Sequence, residues 1–356
     1  MKKKVKVLLG MALTLALLCA TLCGCGDAAA GDTARQAAED DKIQIGMSFD
    51  SFVIERWQRD RDVFVSAAKE LGAEVNIQNA NGDVQQQKDH IDYFIKKGMD
   101  VIVIISIDPD ELADSVKKAR DAGIKVIAYD RPIPKAEVDL YISFDNEKVG
   151  ELMGEAMVKA GLEGGRAVMI CGSPKDRNVP MVDSGFKAVM EENGVEIIDE
   201  YYCDGWKAEL AGDYVYNNPD RIEEADAIMC GNDDLASRVV HALAEKRLAG
   251  KKLVAGQDAD LEACQRIVEG TQLMTVYKPI EKLAQKAAEA AVSLADGKEL
   301  EGEEVSEYEG DGVRVPYLKI EPIAVTQDNI DEVIIGSGFH LKEDVYLNVP
   351  GKMPPN

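Results

Sequence analysis

The chain is poor in the residues that most catalytic and metal centres need. Its 356 residues include 3 His and 2 Trp, and aromatics make up only 6%. The histidines stand far apart, at 90, 241 and 340, and no CxxC pair occurs, so the spacing of a zinc site is missing. No GxSxG elbow, HExxH, P-loop or GxGxxG after a strand is present, which removes the usual signatures of hydrolases, metalloproteases and nucleotide enzymes. Positive charge is also short: 41 Lys and Arg stand against 65 Asp and Glu, for a net charge of -24. Such a surface repels phosphate backbones, which excludes nucleic acid as a partner and favours a neutral or cationic small ligand. What is present in ordinary measure, 46% hydrophobic and 30% charged residues with 30 Gly and 12 Pro, describes a folded protein long enough for two domains.

One apolar run exists near the start, Val7–Leu22, preceded by Lys2, Lys3, Lys4 and Lys6. A basic start and a short apolar stretch read as an export signal, too short for a membrane span. It closes on Leu22-Cys23-Gly24-Cys25, which resembles the lipobox of bacterial lipoproteins. That resemblance implies cleavage of residues 1–24, lipidation of Cys25 and a tether to the outer side of a membrane. Residues 25–41, small and polar, read as a flexible linker. Of seven cysteines, Cys171, Cys203, Cys230 and Cys264 lie in the part expected to fold. Cys171 and Cys230 end apolar runs, as buried thiols do, and the sequence assigns no disulfide.

From residue 42 onward short β-rich runs alternate with longer amphipathic segments. Strands are expected at 43–48, 73–78, 100–106 and 124–129, with helices at about 53–71, 83–97 and 109–122 between them. The run DVIVIIS is apolar on both faces, as a parallel strand covered on each side must be. The alternation begins again with strands at 166–171, 195–200, 225–230, 252–256 and 273–277. An Ala-rich helix at about 280–295 comes next, then an acidic loop and strand-like runs at 313–320 and 323–325. Gly72, Gly98, Gly123, Gly161 and Gly194 stand where helices should end. Two such series imply an α/β protein of two doubly wound parallel-sheet lobes. The expected division is 42–146 with about 280–322 for the first lobe, about 147–279 with about 323–340 for the second, and a frayed tail at 341–356.

Ligands of open parallel sheets sit beyond the carboxyl ends of the strands. There this sequence places Asp130 and Arg131, Asp176 and Asn178, Trp206, Asn232, Asp258 and Asp260, and Lys278, while Arg56 and Trp57 open the first long helix. Taken singly, Asp130-Arg131-Pro132 reads as a turn, Asn232 as a helix cap, Trp57 as core, Lys278 as a solvated charge, and Asp258 with Asp260 as partners of a helix dipole. Taken together they suit a polyhydroxylated ring. Each hydroxyl donates to a carboxylate while accepting from Arg, Lys or an amide, and the C–H faces lie against an aromatic plane.

At these residues the sequence closely resembles the D-xylose-binding proteins of sugar ABC transporters, a branch of the type I periplasmic binding proteins. The matching stretches are ERWQRDRDVFV, IQNANGD, GIKVIAYDRPI, YISFDNEKVGEL, GSPKDRN, GQDADL and GTQLMTVYKPI, and they span about residues 43 to 339. The resemblance implies two lobes joined by a three-segment hinge, with the sugar between them. It implies ligand contacts from Arg56, Trp57, Asp130 and Arg131 in the first lobe and from Asp176, Asn178, Trp206 and Asn232 in the second. Asp258 and Lys278 complete the cage at the crossovers. No cofactor, metal or catalytic residue is expected. The implied partners are a monosaccharide and an ABC permease, or, as an alternative output of the same closure, a membrane histidine kinase or chemoreceptor. An enzyme acting on sugars through the carboxylates Asp258 and Asp260 is the competing class.

Overall fold

The computed structural model describes residues 42–54, 56–298, 300 and 305–355. The export signal, Cys25 and the linker lie outside the described residues.

Two sheets carry the fold. The first, in spatial order β11-β12-β5-β4-β3-β1-β2, is built from β1 (Gln44–Phe49), β2 (Glu74–Asn79), β3 (Val101–Ile104), β4 (Lys125–Tyr129), β5 (Leu140–Phe144), β11 (Val305–Gly310) and β12 (Val313–Ile320). The second, in order β13-β10-β9-β8-β6-β7, contains β6 (Arg166–Cys171), β7 (Glu196–Tyr202), β8 (Ala227–Cys230), β9 (Leu253–Gln257), β10 (Met274–Tyr277) and β13 (Ile323–Thr326). The strands of both sheets run parallel, as the two-lobe reading expects, except for one antiparallel strand added at an edge of each. β11 runs antiparallel to β12 and β13 antiparallel to β10, each at a sheet edge. Every residue of β3 and β8 is buried, as befits central strands with helices on both faces.

The helices start where the chain supplies caps. The carboxylate of Asp83 accepts from the amides of Gln85 and Gln86 to open α2 (Val84–Lys97), the helix after α1 (Arg56–Glu70). α2 ends at Gly98, whose φ of 69° only glycine adopts freely. Asp108 caps α3 (Pro109–Asp121), which has Pro at its first position, acids in its first turn and bases in its last. Asp145 caps α4 (Asn146–Met157), which packs on α5 (Val179–Glu192). The fold continues with α6 (Ala208–Asn217), α7 (Pro219–Glu224), α8 (Asp233–Glu245), α9 (Leu261–Glu269) and α10 (Ile280–Ala295).

The chain passes between the sheets three times: from β5 into α4, from β10 into α10, and from β12 into β13. α4 lies on the second sheet and α10 on the first, against α1, β3, β4 and β5. All three crossings leave the carboxyl end of a strand, so they gather at the end of the sheets where the polar residues were expected.

Two findings differ from the sequence reading. The stretch expected to be an acidic loop contains β11, an edge strand with exposed acids on one face. The tail expected to fray is packed onto the second lobe. It forms α11 (Lys342–Val345), buries Val345 and Tyr346, and donates from Tyr346 to Asp331 and from Lys352 Nζ to the Val268 carbonyl. The apolar pair Val345 and Tyr346 supplies the burial that the expectation of a frayed tail at 341–356 overlooked.

The helix pair α4–α5 depends on two glycines. A Cβ at Gly150 would lie 1.9 Å from the Val182 carbonyl oxygen, and one at Gly185 would lie 2.0 Å from the Glu147 oxygen. Both obstacles are backbone, which cannot swing aside. Replacing Gly150 with Val is therefore expected to cost at least about 1–3 kcal/mol in the second lobe, measured by denaturant unfolding. The same change at the exposed Gly351, around which a Cβ meets nothing, serves as control.

Candidate functional site

Ten of the eleven residues singled out from the sequence, all but Asp260, line one cavity between the lobes, together with Ile54, Asn146, Gly172, Val179, Val182, Asp183, Met229, Gly231 and Gln257. Its empty volume, open mouth included, is about 470 Å³.

Each lobe contributes a charged group held from behind. On the first, Arg56 opens α1 and its guanidinium forks onto Asp60 one turn later, Nε to Oδ2 and Nη2 to Oδ1, both at 3.1 Å. Asp60 is fully buried and also accepts from the Tyr129 hydroxyl. The other side of Arg56 meets Asp130 Oδ2 at 3.0 Å and Asp258 Oδ1 at 3.8 Å, and Lys278 Nζ lies 3.4 Å from the same Asp258 oxygen. Arg131 Nη1 donates to Asp50 at 2.7 Å and to the Ser106 carbonyl at 3.0 Å, while its Nε faces Asp176 Oδ2 of the second lobe at 2.8 Å. The Trp57 ring, buried, lies 4.4 Å below the Arg56 guanidinium carbon and 5.6 Å from that of Arg131.

On the second lobe, Asp176 accepts from the Trp206 indole at 3.2 Å, which aims the ring, and from the Asn178 backbone amide at 2.9 Å, which fixes the turn. Asn178 Nδ2 crosses to the Asp130 carbonyl at 3.0 Å. Asn232 does two things: its carbonyl oxygen caps α8 through the Leu235 amide at 2.9 Å, and the residue lines the cavity. Lys278, which could have been a solvated charge, is buried. The lobes are thus joined across the cleft, and at its rim Arg177 Nη2 meets both oxygens of Asp110 at 2.9 Å.

The backbone is strained at the same place. Asp130 (φ 64°), Trp206 (φ 58°), Asp258 (φ 96°) and Ala259 (φ 56°) all lie in the left-handed region that side chains disfavour. Gly172 is required for a different reason: a Cβ there would sit 2.2 Å from the Trp206 ring, so only glycine lets the indole lie against the end of β6.

Over residues 45–299 the chain matches the family model of the periplasmic binding protein domain. The chain belongs to this family. The D-xylose-binding periplasmic proteins of Haemophilus influenzae and Escherichia coli are each 41% identical to it over 318 residues, covering 87% of this chain and 94% of theirs. Among solved structures, an ABC transporter solute binding protein from Clostridium phytofermentans with bound β-D-glucose superposes with a TM-score of 0.76 at 27% identity, over 85% of this chain and 99% of that one. A carbohydrate transporter solute binding protein from Chloroflexus aurantiacus in complex with D-glucose gives 0.78 at 25% identity, over 85% and 98%.

Sequence reasoning missed Asn146, Gln257 and the supporting Asp50 and Asp60. The first three come after β5, at the end of β9 and after β1, so the strand-end rule that found the others applies to them as well. Asp60 carried a helical signal, four residues after Arg56. The histidines lie elsewhere: His90 hydrogen-bonds Ser48 in the first lobe, His241 is exposed on α8, and His340 meets the Ala259 carbonyl. The four described cysteines are buried and free, and burial pushes the thiols of Cys171 and Cys230 up.

Burial alone would raise the Asp130 carboxyl, but Arg56, Lys278 and Arg131 outweigh it and hold the group below the usual carboxylate range. A depressed folded-state pKa adds stability that is present above the unfolded value of about 3.9 and lost as the pH falls below it. Asp130→Asn, which keeps the left-handed backbone accessible, is expected to be less stable than the parent at pH 7, and the gap should close below about pH 4. Urea unfolding from pH 3 to pH 7 measures it.

Proposed function

We propose that this protein is an extracytoplasmic receptor that captures D-xylose, or a closely related monosaccharide, between its lobes and delivers it to an ABC permease. The observation that carries the reading is the convergence of Arg56, Trp57, Asp130 and Arg131 from one lobe with Asp176, Asn178, Trp206 and Asn232 from the other, closed off by Asp258 and Lys278. A ring bearing hydroxyls on every side can bridge both sets at once. Because those contacts are complete only when the lobes are shut, ligand binding favours the closed form by the difference in contact energy. A missing or inverted hydroxyl leaves a buried carboxylate or guanidinium unpaired, which is how such a site rejects near relatives.

The enzyme reading finds no carboxylate pair from Asp258 and Asp260 in the cavity between the lobes. Asp258 lines it, whereas Asp260 stands at the start of α9 and meets Asp258 only along an outer cleft beside Arg59 and His340. Relatives described as binding proteins, and neighbours described as transporter solute binding proteins, support delivery over catalysis and over signalling to a kinase.

Titration calorimetry should detect saturable D-xylose binding. Arg131→Ala and Asp258→Ala are each expected to lower the affinity at least about 100-fold, since each leaves charged partners unmatched at a cost of about 3 kcal/mol or more. Unchanged affinity in both variants would overturn the site. We further propose that Cys25 carries the lipid. Cys25→Ser should move the protein from the membrane fraction to the soluble fraction, as followed by immunoblotting after fractionation.

A further inference from the structure

The cavity is not balanced in what it offers a ligand. Three cations line it, Arg56, Arg131 and Lys278, against four carboxylates, Asp130, Asp176, Asp183 and Asp258. Asp50 and Asp60 stand directly behind, each on one of the guanidinium groups. Carboxylates therefore outnumber the cations whether or not the second row is included.

The hydrogen-bonding inventory leans the same way. Among the lining residues, the buried acceptors Asp130 Oδ2, Asp183 Oδ1, Gln257 Oε1 and Asp258 Oδ1 have no well-aligned hydrogen bond within the protein, though Asp130 Oδ2 already faces the Arg56 guanidinium at 3.0 Å, while only two donors, Trp57 Nε1 and Arg131 Nε, are in that position. Arg131 Nε already faces a carboxylate at 2.8 Å. Asp258 Oδ1 has its two cations at 3.4 and 3.8 Å, which leaves room for a closer partner. The Gln257 amide is oriented by donation from Nε2 to the Gly231 carbonyl, so its oxygen is the end left over. A neutral hydroxyl has one proton to give and accepts twice; a protonated ring nitrogen has two and accepts none. The ligand that fits a surplus of anionic acceptors best is the one that donates most and carries positive charge.

We infer that the site prefers ring-shaped polyols carrying a protonated nitrogen, such as iminosugars and aminodeoxy sugars, over their neutral isosteres. The inference rests on the proposed reading of the cavity as a polyol site and names a ligand class within it. The cation would enter a negative field that the whole chain reinforces, with its net charge of -24.

The test compares two molecules of one shape, 1,5-dideoxy-1,5-imino-D-xylitol and 1,5-anhydro-D-xylitol, by calorimetry on the full chain at pH 6 and pH 9, with D-xylose in parallel. At pH 6, where the ring nitrogen is protonated, the imino compound is expected to bind about tenfold or more tightly than the anhydro compound, because it gains charge-assisted donors where the ether oxygen can only accept. At pH 9 the two should converge, while D-xylose changes little. An imino compound that binds no tighter at pH 6, a ratio that does not change with pH, or failure of both compounds to bind where D-xylose does, overturns the inference and leaves the sugar receptor standing. Absence of D-xylose binding overturns the proposed function by itself, and the pH-dependent preference between the two isosteres still decides the charge argument.

Discussion

Two guanidinium groups lie out of water in this protein, and a charge so placed is tolerable only if carboxylates and carbonyls surround it. Arg56 is gripped by Asp60, and Arg131 by Asp50 and the Ser106 carbonyl, all within the first lobe. Those grips persist however the second lobe moves, so both cations stay paired and aimed when the cleft opens. The second set of partners is the part that changes on closure: Asp176 reaching Arg131, and Asn178 reaching the Asp130 carbonyl. The first lobe thus carries a prearranged polar surface, and the second completes it.

Preorganisation of this kind explains why strain is tolerated in the loops that face the cavity. Asp130, Trp206 and Asp258 adopt left-handed backbone that turns their side chains into the cleft immediately after a strand or a short turn. Each such residue costs of order 1–3 kcal/mol, which two well-packed sheets can carry. A strand that continued in the extended conformation would send its next side chain along the sheet face and away from the partner lobe. The glycines perform the complementary task of removing bulk. Gly172 admits the Trp206 ring, and a Cβ at Gly231 would come within 2.6 Å of the Gly172 amide nitrogen, so the ends of β6 and β8 can lie side by side under the cavity.

Much of this was legible because parallel sheets impose a simple rule on sequence: the residues just past the carboxyl end of a buried strand face the ligand crevice. That rule placed eight residues on one cavity, with Arg56 and Trp57 added from the start of the first long helix and a family resemblance supporting the same positions. It faltered where a strand was hard to see. β5 is short and comes after a Pro-rich loop, which hid the significance of Asn146 just beyond it. β11 alternates acids with Tyr308 on an exposed edge, and its pairing is decided by β12 rather than by any apolar pattern of its own. The antiparallel edges were invisible for the same reason. Strand direction at an edge is set by where the chain crosses, and crossings are long-range events that a local window does not contain. The tail illustrates the opposite failure. Pro, Gly and polar residues suggested fraying, yet two apolar side chains and a lysine reaching helix α9 suffice to dock it.

The three crossings tie these observations together. Each connects the carboxyl end of a strand in one lobe to the other lobe, so the hinge and the ligand site are built from neighbouring residues. Asp258 comes directly after β9, and Lys278 stands in the link from β10 to α10, where its ammonium faces Asp258 and, at 5.8 Å, the Phe144 ring at the end of β5. On the proposed reading, a ligand that engages Lys278 touches a segment about which the lobes turn, while Arg131 and Asp176 hold it across the two lobes away from that segment. The surplus of carboxylates runs from Asp258, beside Lys278, to Asp176 across the cleft, so the proposed charge preference would act on a ligand from both sides.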